Sequence, residues 1–372
     1  MVYVENCTFN NNNQITLWMR RVQVILKSKK TNKNGKSNTI VFGDPFLEDK
    51  DATLLTGQSV KLNKTEQHTI KILGTKNLAM LKDNGVVEIS NVEYDTIAMI
   101  MLEEMYDITI KVGYESTGTL ETYFHGEVCY MSQKIHSHHD VTLYLPYASR
   151  AVAAYSQKRI NFTGISSVNI YTMLEYLTTL VGDSATLSPS LKQRTMDRAI
   201  SESGTFTDLI TECTADLGET YQFSTDDSIS GSVINCTTFS DKRFINLVDM
   251  GGVISIKNGN PTVTSSGLEM TVLPFMNFVP GDIIQIDNGW IDLSSGMNNA
   301  DAVKNTFNTS YLDKDGQYMI YEIHYAFANR GAEFELRIKA RALDYFKNLT
   351  GISVKWIITI VFKKEMIVMI HF

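Results

Sequence analysis

Gly267-Leu268, Leu273-Pro274 and Val279-Pro280-Gly281-Asp282-Ile283-Ile284-Gln285-Ile286 open the stretch that decides the fold. It continues through Gly316-Gln317-Tyr318-Met319-Ile320-Tyr321-Glu322-Ile323-His324-Tyr325. A polar break at Ala328-Asn329-Arg330-Gly331 follows, then Phe334-Glu335-Leu336-Arg337-Ile338-Lys339-Ala340. The pattern is strand, turn, strand. Pro280-Gly281-Asp282 offers a fixed φ followed by a residue that tolerates positive φ, which a tight turn requires. Beyond it Ile284 and Ile286 fall on one face of a strand, Ile283 and Gln285 on the other. Tyr318–Tyr325 and Phe334–Ala340 read as two strands joined at Asn329-Arg330-Gly331.

Working outward, the 372 residues suffice for two or three domains, each with its own core. An apolar fraction of 43% and a charged fraction of 20% are those of a folded chain. The net charge of -7 argues against a dedicated nucleic-acid binder, whose affinity comes from neutralising phosphates. Cys7, Cys129, Cys213 and Cys236 are far apart with no CxxC pair, so reduced thiols are expected rather than zinc or disulfides. Met1–Cys7 has no basic or apolar run, so no export signal is expected. Near the C-terminus Trp356–Phe362 is apolar and β-branched, but Lys363-Lys364-Glu365 interrupts it before Met366–Phe372. Neither piece reaches the ~20 residues of a membrane helix.

Three regions and a tail emerge. Residues 1–150 read as mostly β. The expected strands are Ile15–Leu26, Thr39–Phe42, Thr69–Leu73, Val86–Val92, Ile108–Tyr114, Thr122–Tyr130 and Val141–Leu145. Lys27–Asn38 reads as a basic polar loop and Asn84-Gly85 as a hairpin turn. Glu93–Glu104 sets Ile97, Ile100, Met101 and Met105 at the spacing of a helix with one buried face. Residues 151–250 mix helix and strand: Ser166–Leu180 has Ile170, Met173, Leu174, Leu177 and Leu180 in helical register, with Ser166 and Ser167 as caps. A second helix, Thr207–Leu217, opens at Ser203-Gly204-Thr205-Phe206. Glu219–Ser224 and Ser232–Phe239 then pair across a turn at Asp226-Asp227. Residues 251–348 hold the opening strand run, and 349–372 form a hydrophobic extension with no assigned role. The first and third regions share a rhythm of strands around a long polar loop.

Candidate chemistry is sparse. His136-Ser137-His138-His139-Asp140 sits in an expected hairpin, where alternate side chains diverge, so a solvated turn outweighs a metal site. Glu103-Glu104 and Asp226-Asp227 are adjacent pairs, not carboxylates facing each other across a cleft. Asp313-Lys314-Asp315-Gly316 opens like a calcium loop but runs straight into a strand, so a turn is expected. His125 and Cys129 lie an even number apart, which fits a shared strand face. Lys27-Ser28-Lys29-Lys30-Thr31-Asn32-Lys33 is a solvated loop or a contact loop for phosphate or an acidic partner. No Walker loop, Gly-x-Gly-x-x-Gly or Gly-x-Ser-x-Gly is present. No catalytic, cofactor-binding or metal-binding residue is assigned, and no enzyme is expected.

The order of motifs resembles the tail and baseplate hub proteins of bacteriophages and related contractile machines. The matching stretches are Val87-Glu88-Ile89-Ser90-Asn91-Val92, Ile110-Lys111-Val112-Gly113-Tyr114-Glu115, Tyr123-Phe124-His125-Gly126-Glu127-Val128 and Asp140-Val141-Thr142-Leu143. Gly204-Thr205-Phe206-Thr207-Asp208-Leu209-Ile210 resembles the helix-bearing insertion. Pro280–Ile286 and Gly316–His324 resemble the second barrel. The resemblance covers most of residues 15–345. It implies a β-rich α+β protein: two tube-like antiparallel β-barrel domains, 1–150 and 251–348, with a small α+β domain, 151–250, between them. It further implies a homotrimer whose six similar barrels dock a hexameric tail tube, or distal tail proteins, on one side and a trimeric central spike on the other. The tape-measure protein is a further implied partner. Genome passage through an acidic lumen that does not bind DNA, a place in the virion after assembly in the host bacterial cytoplasm, and no membrane span complete the picture. Two other readings stay open. A carbohydrate-binding β domain would use exposed aromatics such as Tyr144, Tyr147 and Tyr155, among 17 Tyr and 3 Trp. A cell-wall hydrolase would need a pair of perturbed carboxylates in a cleft.

Overall fold

The computed structural model describes residues 20–31, 37–43, 68–78, 83–102, 105–114, 120–137, 140–149, 159–164, 168–181, 184–196, 199–206, 208–210, 221–228, 231–238, 242–248, 261–264, 267–291, 313 and 315–343. Strands β1 (Arg20–Thr31), β2 (Ser37–Gly43), β3 (Thr69–Asn77) and β4 (Asn84–Ser90) precede helix α1 (Tyr94–Leu102). Then come β5 (Tyr106–Tyr114), β6 (Leu120–Val128), β7 (Ser132–Ser137) and β8 (Asp140–Ala148). The middle holds β9 (Arg159–Gly164), α2 (Ile170–Val181), β10 (Ser184–Leu187), β11 (Ile200–Thr205), β12 (Tyr221–Ser228) and β13 (Gly231–Thr238). Last are β14 (Phe244–Asn246), β15 (Thr262–Thr264), β16 (Gly267–Val272), β17 (Ile283–Gln285), β18 (Gln317–Ala328) and β19 (Phe334–Ala342). The protein is thus mostly antiparallel β with few helices.

Both ends of the chain feed one 14-stranded sheet, ordered β15-β16-β19-β18-β3-β4-β8-β6-β5-β1-β2. The joint is β18. Its first residues, Gln317–Met319, pair with β17, and Glu322–Ala328 pair with β3. Against β19 the register shifts between Ile320 and Glu322, so Tyr321 takes the place of a bulge where the strand changes partners. A bulge adds local twist, which lets one strand serve two neighbours lying at different angles.

Alternation explains the core. In β19, Phe334, Leu336, Ile338, Ala340 and Ala342 point inward and are buried. They join Ile323, Tyr325 and Phe327 of β18, Ile70 and Ile72 of β3, and Val22, Val24 and Leu26 of β1 in a single apolar cluster. A second cluster gathers Ile160 and Phe162 of β9, Ile170, Met173, Leu174 and Leu177 of α2, and Leu191, Phe206, Leu209 and Cys236. Ile283 and Ile284 do face opposite ways, but both are covered: Ile283 packs with Met319 and Leu343, Ile284 with the main core.

Several local expectations are corrected. Lys27–Thr31 is strand, not loop, because Lys27 and Ser28 pair with Asp107 and Tyr106 of β5, and Ser28 is buried. Lys29 reaches Glu127 at 2.5 Å and Asp107 at 3.9 Å, so cross-strand charge pairs replace solvent. Asn84-Gly85 is not the turn: Thr75 pairs with Asn84 and Gly74 with Gly85 inside the ladder. Asp226-Asp227 likewise continue β12, and the reversal comes between Ser228 and Gly231. The strand β7 was not legible in the polar run Ser132–Ser137; it is held as an edge partner of β8. On α1, Ile97 and Ile100 are buried as the spacing predicts, whereas Met101 and Met105 are exposed. The expected turns hold: Gly281 (φ 97°) and Gly331 (φ 99°) make the turns assigned to them, while Asn91, expected within a strand, takes φ 63° between β4 and α1. Asn169, not the expected serines, caps α2 by accepting the Thr172 amide at 3.3 Å; Ser166 and Ser167 lie outside the described residues.

Candidate assembly site at the joint

The joint is built on four residues in a line. Tyr147 of β8 pairs with Gly85 of β4, Gly85 with Gly74 of β3, and Gly74 with Tyr325 of β18. Directly paired residues share a face, so both phenol rings can lie over both glycines. No side chain fits beneath them. A Cβ on Gly74 would meet the Tyr325 ring at 2.4 Å, and one on Gly85 would meet the Tyr147 hydroxyl and the Leu73 carbonyl at 2.3 Å each. Over this gap the Tyr147 and Tyr325 hydroxyls meet at 2.7 Å. Tyr147 also reaches the Leu73 carbonyl at 3.4 Å, leaving Tyr325 as the donor to Tyr147. Burial pushes both phenols well above their ordinary pKa, so the pair stays neutral. Tyr123 and Phe327 stand edge-on at 4.8 Å, Tyr123 and Tyr325 at 5.0 Å, and Phe124 leans on Tyr147 at 4.7 Å. The rings are hemmed in by one another.

Beside this aromatic box lies a polar knot. Buried Lys76, two residues along β3 from Gly74, places Nζ 3.8 Å over the Tyr123 ring and donates to Asn277 Oδ1 at 3.0 Å. Asn277 in turn donates to the Thr122 carbonyl at 3.0 Å and accepts Arg243 on its own carbonyl at 2.6 Å. Arg243 forks onto Asp282 through Nε and Nη2, and Asp282 Oδ2 also takes the Val279 amide at 2.8 Å. Strands from both ends of the chain, the 275–282 turn and the segment after β13 are thereby tied at one place.

The opposite face of the same strands is open. Pro146, Val86, Leu73 and Ala326 form an apolar row across β8, β4, β3 and β18. With Thr75, Asn84, His324, Arg337 and the exposed Tyr130 they line a depression of about 720 Å³. Polar contacts rim it: Lys339 pairs with Glu322 at 2.7 Å, His324 Nε2 lies 3.0 Å from the same carboxylate, and Arg337 pairs with Glu269 at 2.5 Å. Burial pushes the Glu322 carboxyl up, but the Lys339 hydrogen bond and the His324 charge outweigh it and hold the carboxyl below its ordinary value. Apolar rows with paired charges offer contact rather than chemistry.

The other sequence candidates disperse. Ser137 pairs with Asp140, which makes the His136–His139 run a hairpin end; His138 and His139 lie outside the described residues. So do Glu103 and Glu104. Among the described residues no group of three His, Cys, Asp or Glu is placed to hold a metal. Buried Asp313 accepts the amides of Asp315 and Gln317 at 2.9 and 3.1 Å, and Gly316 takes φ 71°, so this stretch is a turn. His125 and Cys129 do not share a face. His125 is buried against Thr109 Oγ1 at 2.7 Å, while Cys129 lies beyond the end of β6 and is exposed. Burial, then the Glu127 charge, raise the Cys129 thiol, which disfavours the thiolate. Tyr147 is sealed in the aromatic box and offers no sugar platform; Tyr144 is half-buried, and Tyr155 lies outside the described residues. No helix among the described residues is long and apolar enough to cross a membrane.

Sequence reasoning missed the Tyr147–Gly85–Gly74–Tyr325 line. The available signal was a glycine inside each of two neighbouring strand patterns, where glycine has no turn to make.

No protein-family model matches the chain, and no curated protein matches it. Solved structures do resemble it. A 43 kDa tail protein of prophage MuSo2 from Shewanella oneidensis aligns over 87% of this chain and 98% of its own, at 11% identity and a TM-score of 0.49. A tail protein from Neisseria meningitidis MC58 aligns over 89% and 99%, at 8% identity and a TM-score of 0.49. An E. coli component of the type VI secretion system, described as similar to the T4 bacteriophage tail proteins gp27 and gp5, aligns over 74% and 73%, at 12% identity and a TM-score of 0.46.

Proposed function

We propose that the chain is a structural subunit of a phage-type tail or baseplate hub. In this reading the strands of residues 1–150 and of 251–348 form two tube-like barrels, with 151–250 as an inserted α+β domain. Three copies present six similar barrels as an annulus between a hexameric tube and a trimeric spike, with a lumen for the genome. One observation supports it above the rest: both sets of strands belong to a single sheet, locked at β18–β3 by the tyrosine line. An adaptor between threefold and sixfold symmetry needs its two modules at a fixed angle, and a shared, plugged sheet supplies that stiffness. Among the described strands, β2 pairs only with β1 and β15 only with β16, so each copy has an outermost strand at either end for its neighbours.

The test is the mass and shape of the purified protein. Light scattering should give the mass of three 41.9 kDa chains, and class averages down the symmetry axis should show a six-lobed ring around a channel. A concentrated sample that stays monomeric, or a ring of another order, overturns the reading. The carbohydrate-binding alternative loses Tyr147 as a platform.

A further inference from the structure

The middle elements β9–β13 and α2 form a unit whose two feet stand on one spot. Their core is built on residues such as Ile170, Leu174, Leu177 and Phe206, and no described residue of it belongs to the main core. Among the described residues their strands make a three-stranded and a two-stranded sheet, and none of them enters the 14-stranded sheet; β12 lies beside β6. The chain enters the unit after β8, where the Ser149 amide donates to the Asp83 carbonyl at 2.9 Å and Asp83 Oδ1 accepts the Asn77 amide at 2.8 Å. It leaves before β14, where Arg243 forks onto Asp282 and donates to the Asn277 carbonyl. Asn77 and Lys76 are neighbours at the end of β3, and Lys76 donates to Asn277 Oδ1. One run of contacts through the end of β3 thus joins the two feet: Ser149 to Asp83 to Asn77, then Lys76 to Asn277 to Arg243.

A unit with its own core, tied at one place by polar contacts, turns about that place unless something stops it. At the exit foot Phe244–Asn246 pair with β17, and Ile245 and Leu247 sit in the main core, so the main body begins at Arg243. The Arg243 carbonyl accepts the Ile283 amide at 2.9 Å. Its side chain adds the directional tie. A bidentate fork fixes the guanidinium plane against the carboxylate, and the Asp282 side chain is only 7% exposed and is itself set by the Val279 amide. We infer that the shared footing is a hinge and that the Arg243–Asp282 fork is its latch, holding the middle unit at one angle to the sheet. With the fork gone, the exit foot frays into the three-residue strand β14 and the free length of chain grows, while Ser149 remains the pivot. The β3–β18 joint keeps its register without the fork, through its own ladder and the tyrosine pair. The sheet is then the rigid part of the chain and the middle unit the adjustable one, whatever the chain assembles with.

Distances within the full-length protein test this. One spin label stands at position 176, on α2, where Tyr176 is 55% exposed; the other stands at position 102, on α1, where Leu102 is 79% exposed. Both enter as non-natural amino acids, so the cysteines are untouched, and excess unlabelled protein leaves only distances within a chain. A control pair joins position 102 to the exposed position 330, both outside the middle unit. Pulsed spin-label spectroscopy should give one narrow 176–102 distance in the labelled parent and a distribution several-fold wider in Arg243→Ala, with the control pair narrow in both. Asp282→Asn, which keeps an oxygen for the Val279 amide and removes the charge, should widen the 176–102 distance as well. A 176–102 distance that stays narrow in both variants, one already wide in the parent, or a control pair that widens with it overturns the inference.

Discussion

Replacing Tyr147 and Tyr325 by Phe, singly and together, dissects the joint. The two hydroxyls lie 2.7 Å apart inside a box of rings, with Tyr325 the donor and Tyr147 passing its own proton toward the Leu73 carbonyl at 3.4 Å. Tyr147→Phe strands a buried Tyr325 hydroxyl with no acceptor, which costs about 1–3 kcal/mol. Tyr325→Phe leaves Tyr147 its weak bond to Leu73, so the loss should be nearer the net worth of one hydrogen bond, about 0.5–1.5 kcal/mol. The double variant strands nothing and keeps both ring bodies in their contacts with Tyr123, Phe124 and Phe327. It should be more stable than the sum of the singles, and close to the milder one. The expected coupling is therefore about 1–3 kcal/mol, within the range for buried residues in direct contact. Urea unfolding of the four proteins, compared by midpoint at constant slope, measures it. Strict additivity, with the double losing the sum of both singles, would refute the claim that the hydroxyls satisfy each other.

Gly85→Ala drives a methyl against the Leu73 carbonyl and the Tyr147 hydroxyl, and should cost about 1–3 kcal/mol by overpacking, read from the same urea midpoints. Asp282→Ala removes the acceptor of both Arg243 and the Val279 amide and should cost about 3–5 kcal/mol, the range for breaking a mostly buried pair. The Glu322 carboxyl is held below its ordinary value, so it stabilises the fold above the unfolded carboxylate range near pH 4.3 and loses that contribution as pH falls through its folded value. Glu322→Gln should flatten the acid side of a pH–stability curve without changing its alkaline side. Burial pushes the Cys236 thiol up to about 12, so iodoacetamide at neutral pH should label Cys129 in the native protein and Cys236 only on unfolding.

What could be read from the sequence follows from how local each signal is. Turn chemistry at Gly281 and Gly331, the inward alternation of β19 and the buried side of α2 depend on neighbours within a few residues. Those features were legible. Lys27–Thr31 and Asp226-Asp227 misled because polar residues on a strand are indistinguishable from a loop until the partner strand is known: β5, with β6 beyond it, for the first, and β13 for the second. Met101 and Met105 misled for a different reason: periodicity reports an apolar face without saying what covers it. The joint was the least legible part. Gly74 and Gly85 look like turn or breaker residues in isolation, and their purpose appears only when Tyr147 and Tyr325, distant in sequence, come to lie over them.

That distance explains why the joint needs a marker at all. In a hairpin the turn sets the register. Between β3 and β18 no turn exists, since Gly74 and Tyr325 are brought together only by the fold. A slip of one residue would turn every inward side chain of β18 outward, and the buried Ile323, Tyr325 and Phe327 already forbid it. A slip of two keeps the faces correct, so hydrophobic burial alone discriminates against it weakly. The tyrosine line removes that freedom. Moved by two, Tyr325 would lie over Ile72 or Lys76, where a side chain stands, and would lose the Tyr147 hydroxyl. Phenylalanine would fill the same space without a directional bond, which is why a pair of hydroxyls at this crossing points to specification of register more than to stability alone.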